Sequence, residues 1–214
     1  MKKIKSNLIK LKTAERLYQL DVPIIGLTGG IATGKSTAAQ YFKLKKLPLI
    51  DADQIVKNIY HSELGLEFVL RNFPDCIENK KINFPKLRSI VFNNVENKNK
   101  VEGFIFSHFE NTFKTELNKL GEVDFIIYDV PLLFEKKLQS KIDINILVAC
   151  DDKTQIKRLI ERDKIEAALA QKIIQSQMPI ADKLNFAQFI IKNDQDLNHL
   201  HSEIDKVLND ILEN

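Results

Sequence analysis

The 214-residue chain contains only two cysteines, Cys76 and Cys150, far apart and in no C-x-x-C spacing. That excludes a disulfide framework and a cysteine-built zinc site. Cys150 ends an apolar run and is expected as a buried small residue. No run reaches the ~18 consecutive apolar residues that would suggest a membrane span. Charge of neither sign dominates: 32 basic against 29 acidic side chains leave +3 at pH 7, too mild a balance to point to nucleic acid. The four histidines, His61, His108, His199 and His201, have no metal-ligand spacing, and no internal repeat is present. Apolar residues, at 44%, suffice for the core of one α/β domain with insertions.

The start of the chain, "MKKIKSNLIKLKTAERLYQL", has lysines breaking each apolar stretch and lacks the continuous core of a signal peptide. Leu8, Leu11, Leu17 and Leu20 fall roughly on one side of a helix. Residues 1–21 therefore read as a short basic amphipathic helix. It is either an extension, docked or frayed, or a membrane-surface or targeting segment.

Beyond it, strand-length apolar runs recur: "VPIIGLT" (22–28), "LPLI" (47–50), "DFIIYDV" (124–130), "INILVAC" (144–150) and "FAQFIIK" (186–192). Several are continuous rather than alternating, as strands covered on both faces are, which predicts a parallel sheet flanked by helices. Residues 53–123 exceed one crossover helix. "QIVKNIYHSELGLEFVLRNF" and "KVEGFIFSHFENTFKTELNKL" have helical patterning, so this stretch is expected as a helical insertion for a second substrate. "NNVENKNK" (93–100) is expected as a solvated turn. Residues 151–185, charged and helical, have the composition of a lid. In the last segment Leu197, Leu200, Ile204, Val207, Leu208 and Ile211 predict a helix packed on the sheet.

The chemistry is concentrated in "IIGLTGGIATGKSTAAQYF" (24–42). Gly29, Gly34, Lys35 and Ser36 satisfy G-x-x-x-x-G-K-[ST], with a strand before and an amphipathic helix after. Glycines let the backbone wrap closely around phosphate oxygens, and successive N–H groups with the positive helix end point at the anion. Lys35 would reach the β- and γ-phosphates and Ser36 would ligate Mg²⁺; Thr37 adds a second hydroxyl. The alternative is a glycine-rich turn without a ligand. "LPLIDADQI" ends a strand in Asp51-Ala52-Asp53, where a carboxylate can orient an acceptor hydroxyl and take its proton. Asp53 reads as that base, following a strand expected beside the loop strand, or else as an N-cap for the next helix. Asp129 ends another strand and is either a holder of magnesium-bound water or a turn former. Arg158 and Arg162 share a helical face and either clamp phosphates or form a solvated surface paired with Glu161 or Asp163.

The stretches "IGLTGGIATGKST", "LPLIDADQI", "LRSIVF", "DVPLLFE", "RLIERD", "IIQSQMPIADK" and "AQFIIKND", in that order from about residue 23 onward, resemble the dephospho-CoA kinases. The resemblance implies an α/β P-loop kinase fold whose five-stranded parallel sheet is flanked by helices. The core would be 22–56, 119–150 and 186–214, with a helical CoA-binding insertion near 57–118 and a lid near 151–185. It implies ATP-dependent phosphorylation of the ribose 3′-hydroxyl of dephospho-CoA, the last step of coenzyme A synthesis. Mg²⁺ would accompany ATP as cofactor, and ATP and dephospho-CoA would be the partners. It implies no nucleic acid or membrane partner and a cytoplasmic location, and leaves oligomeric state open. Residue by residue, Gly30, Ile31, Ala32, Thr33, Gly34, Lys35, Ser36 and Thr37 match the ATP loop, Asp53 the proposed base, and Arg158 and Arg162 the lid arginine region. Three positions depart from the family pattern. Ala32 takes the first place of the Gly-Ser or Gly-Thr pair usual before the second glycine, so it stands where glycine is usual and would resist a positive φ. Phe106-Ser107 replace a His-Pro pair, and Gln188 replaces Asp. Competing readings are a P-loop kinase for another small acceptor, a GTPase-like switch, and an inactive binding module. Against the switch, "IKND" (191–194) is not the N-K-x-D guanine reader; against the inactive module, Lys35, Ser36 and Asp53 are all retained.

Overall fold

A computed structural model describes residues 2–213. The elements run β1 (Ile24–Gly29), α1 (Lys35–Leu44), β2 (Leu49–Asp51), α2 (Ala52–His61), α3 (Glu63–Asn72), β3 (Ile77–Glu78), β4 (Lys81–Ile82), α4 (Phe84–Phe92), α5 (Val95–Lys119), β5 (Ile126–Asp129), β6 (Ile144–Ala149), α6 (Asp152–Asp163), α7 (Ala167–Gln175), α8 (Ile180–Leu184), β7 (Phe189–Lys192) and α9 (Leu197–Ile211). They form two compact units. One comprises the chain up to Ile50 together with Glu122 onward; the other is Asp51–Gly121.

The first unit is built on a five-stranded parallel sheet in the order β2-β5-β1-β6-β7. β1 is central, with Leu27 opposite Asp129 of β5 and Ile146 of β6. Every residue of β1, β5 and β6 is buried, which is why their sequences are continuous apolar runs rather than alternating ones. β7, at the edge, keeps only Ile191 buried. The sequence reading puts β2 beside β1; in the sheet β5 lies between them. Sequence proximity gives no such order, because a crossover can pass over an intervening strand position.

α1 and α9 share one core cluster with the sheet, in which Phe42, Leu200, Ile204 and Ile211 meet Ile25, Leu27, Ile146 and Val148. Each such side chain contributes roughly 1.5–3 kcal/mol by leaving water. The apolar stripe of α9 is as expected except that Leu197, in its first turn, is exposed.

The N-terminal residues do not form the amphipathic helix expected of them. They make three short 3₁₀ turns, Ser6–Leu8, Thr13–Glu15 and Leu17–Gln19, and Tyr18 and Gln19 take left-handed φ values of 55° and 53°. Their backbone groups find partners elsewhere: Lys5 N–H donates to Ile211 O at 2.9 Å and Glu213 N–H to Lys3 O at 2.8 Å, beside an Ile4–Leu212 bridge. Ile4, Leu17 and Leu20 are buried. Arg16 organises the irregular backbone by donating to Leu11 O (2.7 Å) and Asp21 O (3.3 Å) while pairing with buried Asp143. Docking against the C-terminal helix thus replaces intrahelical bonding.

The second unit is helical with one two-stranded antiparallel hairpin, β3–β4. Side chains start its helices: Asp51 caps α2, Ser62 caps α3, Asn83 caps α4 and Asn94 caps α5. The Ser62 cap divides what sequence periodicity reads as one long helix. Asn94 corrects another expectation. Its side chain accepts from Asn97 N–H at 2.9 Å, so residues 95–100 open α5 rather than forming a solvated turn. The lysines and asparagines there coat a helix whose inner face continues into buried Val101 and Ile105. Phe68 and Phe104 stack with centroids 4.0 Å apart.

Candidate active site

β1 feeds residues 30–34, which turn directly into α1. Ala32 and Gly34 both take left-handed backbone, with φ of 59° and 92°. At Gly34 a Cβ would collide with the side-chain amide of Asn193, so glycine serves both conformation and approach. Ala32 holds its conformation against a steric cost of about 1–2 kcal/mol. Thr33, fully buried, closes the turn by donating its hydroxyl to Gly30 O at 2.9 Å. No side chain caps α1, so its first N–H groups, from Lys35, Ser36 and Thr37 onward, present the positive end of the helix to an anion.

The structure joins two residues that the sequence treats separately. Lys35 Nζ donates to Asp129 Oδ1 at 2.5 Å, and the two side chains are 14% and 5% exposed. The pairing follows from sheet order: β5 neighbours β1, and Asp129 lies at its carboxyl end opposite Leu27. A charge-assisted bond of this kind fixes the ammonium group beside the loop. Ser36 is exposed in the first turn of α1 and Thr37 is half-buried.

Arg158 and Arg162 have different partners. Arg158 donates to Asn193 O at 2.8 Å and to Gln195 O at 3.4 Å, bracing the segment after β7. Arg162 forms a two-point pair with neighbouring Asp163 at 2.7 and 2.9 Å. That hydrogen bonding raises the Arg162 pKa and lowers that of the Asp163 carboxyl. Among the described residues neither guanidinium hydrogen-bonds to Lys35, Asp129 or the loop. Cys150, at the end of β6, is buried as expected. Burial pushes its thiol up to about 11, with the nearby Arg158 charge opposing, so it stays protonated at neutral pH.

Several residues that hold the loop escaped the sequence reading. Asn193 donates its side-chain amide to Thr33 O at 2.8 Å while its backbone carbonyl accepts from Arg158. Side chain and backbone of Asn193 both take part in bracing the loop. Lys183, with no exposed surface, donates to Gly29 O at 3.1 Å, and its Nζ lies 2.8 Å from Glu135. Gln177 accepts from Ile31 N–H at 2.9 Å, and Gln155 donates to Ile31 O at 2.6 Å. Glu135, Gln177, Lys183 and Asn193 lie in "DVPLLFE", "IIQSQMPIADK" and "AQFIIKND", stretches that carry the family resemblance, whereas Gln155 lies outside all of them. Within each, however, nothing local marks which polar residue turns toward the loop. Gln188, one of the departures, accepts Asn145 N–H at 2.7 Å and thereby ties β6 to the start of β7.

In the second unit Asp51, not Asp53, is the cap: its carboxylate accepts Asp53 N–H at 2.8 Å and Gln54 N–H at 3.2 Å. Asp53 is exposed, and its carboxylate makes no hydrogen bond or ion pair among the described residues. At the other departure Phe106 is 59% exposed, and Ser107 turns its hydroxyl back to Phe104 O at 2.8 Å. Among the described residues no group of three or more His, Cys, Asp or Glu could hold a metal, and no helix is long and apolar enough to cross a membrane.

A parallel α/β sheet whose central strand runs through a glycine-rich loop into a helix headed by Lys-Ser-Thr defines a P-loop kinase. The comparisons narrow the class. The dephospho-CoA kinase family model matches residues 23–199. A dephospho-CoA kinase of Fusobacterium nucleatum is 38% identical over 189 residues, covering 87% of this chain and 97% of its own. Among solved structures, a Thermus thermophilus protein superposes with a TM-score of 0.76 at 26% identity, covering 88% of this chain and 97% of its own. A dephospho-CoA kinase from Campylobacter jejuni gives 0.66 at 28% identity, covering 87% and 96%. The chain belongs to the dephospho-CoA kinase family, enzymes that use ATP to phosphorylate dephospho-CoA in the final step of coenzyme A synthesis.

Proposed function

We propose that this protein transfers the γ-phosphoryl group of ATP to the ribose 3′-hydroxyl of dephospho-CoA, with Lys35 and the loop 29–37 binding the phosphates and Asp53 serving the acceptor. The observation that carries the assignment is the Lys35–Asp129 pair beside an uncapped helix start. It sets one buried cation and a row of N–H donors where triphosphate charge can be neutralised. Ser36 and Asp129 offer hard oxygen donors suited to Mg²⁺; being few, they suit an ion shared with the nucleotide's phosphates. When bound, Mg²⁺ would neutralise phosphate charge. Asp53 follows the carboxyl end of β2, and the Asp51 cap takes the helix-capping duty from it, leaving its carboxylate to accept a hydroxyl proton. Arg158 is assigned to support the nucleotide side through Asn193, and Arg162, whose local pair with Asp163 is exposed, to recruitment by phosphate charge. Both substrates are charged and water-soluble, which favours a cytoplasmic enzyme.

The test is ADP release from ATP, Mg²⁺ and dephospho-CoA, with mass analysis of the product. Asp53→Asn should leave ATP affinity near that of the parent and lower kcat by roughly 10²–10⁴. Normal turnover by Asp53→Asn together with a dead Asp51→Asn would move the base to Asp51. An active parent that accepts only other hydroxyl compounds would refute the acceptor assignment.

A further inference from the structure

We propose that Gln155 and Gln177 are positioning residues that latch the lid segment to Ile31 and thereby fix the orientation of the phosphate loop for transfer; the inference rests on the kinase function proposed above. Both backbone polar groups of Ile31 are taken by side chains distant in sequence: its N–H by Gln177 Oε1 at 2.9 Å and its carbonyl by Gln155 Nε2 at 2.6 Å. The next residue is Ala32, in left-handed backbone at φ 59°. In a trans peptide the carbonyl and the following N–H point in opposite directions. Holding Ile31 O toward α6 therefore directs the Ala32 N–H away from α6. A rotation of this one peptide would turn a cradle donor around, and a left-handed alanine has reason to make that rotation.

Two further observations separate a latch from ordinary packing. Gln155 Oε1 is buried with no hydrogen-bond partner. Such an orphan acceptor is costly, whereas an apolar side chain of similar shape would fill the space without it. The amide's value there lies in its bond to Ile31. Gly30 is cut to fit the same contact, since a Cβ at that position would lie 2.8 Å from Gln155 Nε2 and 2.9 Å from Ile180 Cδ1. The two glutamines also line a cavity of about 350 Å³ with Gly30, Gln171, Met178 and Ile180, so methionine can replace either without crowding.

The experiment compares the parent with Gln155→Met, Gln177→Met and the double variant. The readouts are kcat and KM for ATP and for dephospho-CoA, thermal unfolding, and amide hydrogen exchange over residues 30–34. Each single replacement should lower kcat about 10- to 100-fold, with KM for ATP changed less than about threefold, because a small misplacement of reacting groups acts mainly on the transfer step. The double variant should lose little more than the worse single, since both side chains hold the same residue. Exchange at 30–34 should quicken in all three, whichever acceptor the enzyme uses. Unchanged kcat and exchange would overturn the latch, as would losses that add and follow the melting temperature. Should Gln155→Met fail to fold, Gln177→Met, at a half-buried site, decides by the same criteria. A parent inactive on dephospho-CoA would overturn the proposed function instead, with the exchange result still deciding the latch.

Discussion

Replacing Arg16 by methionine should destabilise the protein by about 3–5 kcal/mol, although the residue lies outside the stretch matched to the family. The guanidinium contacts Asp143 through Nε at 2.8 Å and Nη2 at 3.1 Å, and the two side chains are 6% and 0% exposed. Asp143 Oδ2 also accepts the N–H of Ile24, the first residue of β1, at 2.9 Å. Without Arg16 that carboxylate keeps one backbone donor and no cation, and a buried charge stripped of its partner carries the cost stated. For a chain of this length each kcal/mol lowers Tm by roughly 2–4 °C, so a fall of roughly 6–20 °C is expected. Adding Asp143→Leu removes the stranded charge. It should recover part of the loss, leaving about 1–3 kcal/mol for the Ile24 N–H and the released carbonyls. The assay is calorimetric and urea unfolding of the parent, both single variants and the double. A loss below about 1 kcal/mol in Arg16→Met would mean that the pair behaves as a solvated one. A double variant less stable than Arg16→Met would refute the assignment of the loss to the stranded charge.

Three further outcomes follow from the loop and its surroundings. Lys35→Met should lower kcat by roughly 10²–10³, the effect of deleting one preorganised donor, and should also lower the melting temperature while the protein stays folded, because it takes the cation from buried Asp129; circular dichroism with thermal unfolding beside steady-state kinetics checks it, and near-normal turnover at saturating ATP would count against the cradle. Ala32→Gly should raise stability by up to about 1 kcal/mol, because relief of the left-handed strain outweighs glycine's extra freedom in the unfolded chain; urea midpoints measure it, and a clear loss would contradict the strain. Cys150 should resist thiol reagents at pH 8 and react on unfolding. Because its folded pKa, about 11, is raised by burial above the ordinary thiol value of 9.0, its stabilising contribution is fully present below pH 9. It is lost as pH rises toward 11, since there the unfolded thiol ionises first; a Cys150→Ala variant should lack that share of the alkaline decline.

Much of the fold was legible because burial writes itself into local pattern. β1, β5 and β6 are covered on both faces, so each shows as an apolar run, and α9 shows as a stripe because only one side meets the sheet. The loop was legible for a different reason. Its glycines, lysine and hydroxyls act within nine consecutive residues, 29–37, so their spacing alone carries the geometry. The helix boundary at Ser62 and the early start of α5 at Asn94 were missed although the caps are local. Serine and asparagine occur as often in solvated turns, and only the apolar face beyond them decides.

What the sequence by itself determined was the class of fold, the phosphate loop and the family. Each of these resides in contiguous stretches whose order along the chain is enough. Only the tertiary structure decided that β5 stands between β2 and β1, and so brought Asp129 to Lys35. It alone showed that Asp51 rather than Asp53 is the cap, that Arg158 and Arg162 serve different partners, and that Gln155, Gln177, Lys183 and Asn193 converge on the loop backbone. It also replaced an expected N-terminal helix by a strap held through Arg16 and Asp143. The physical reason is common to all of them. A polar side chain is indifferent to chain distance and bonds whatever group folding brings within about 3 Å, and no periodicity records which group that will be.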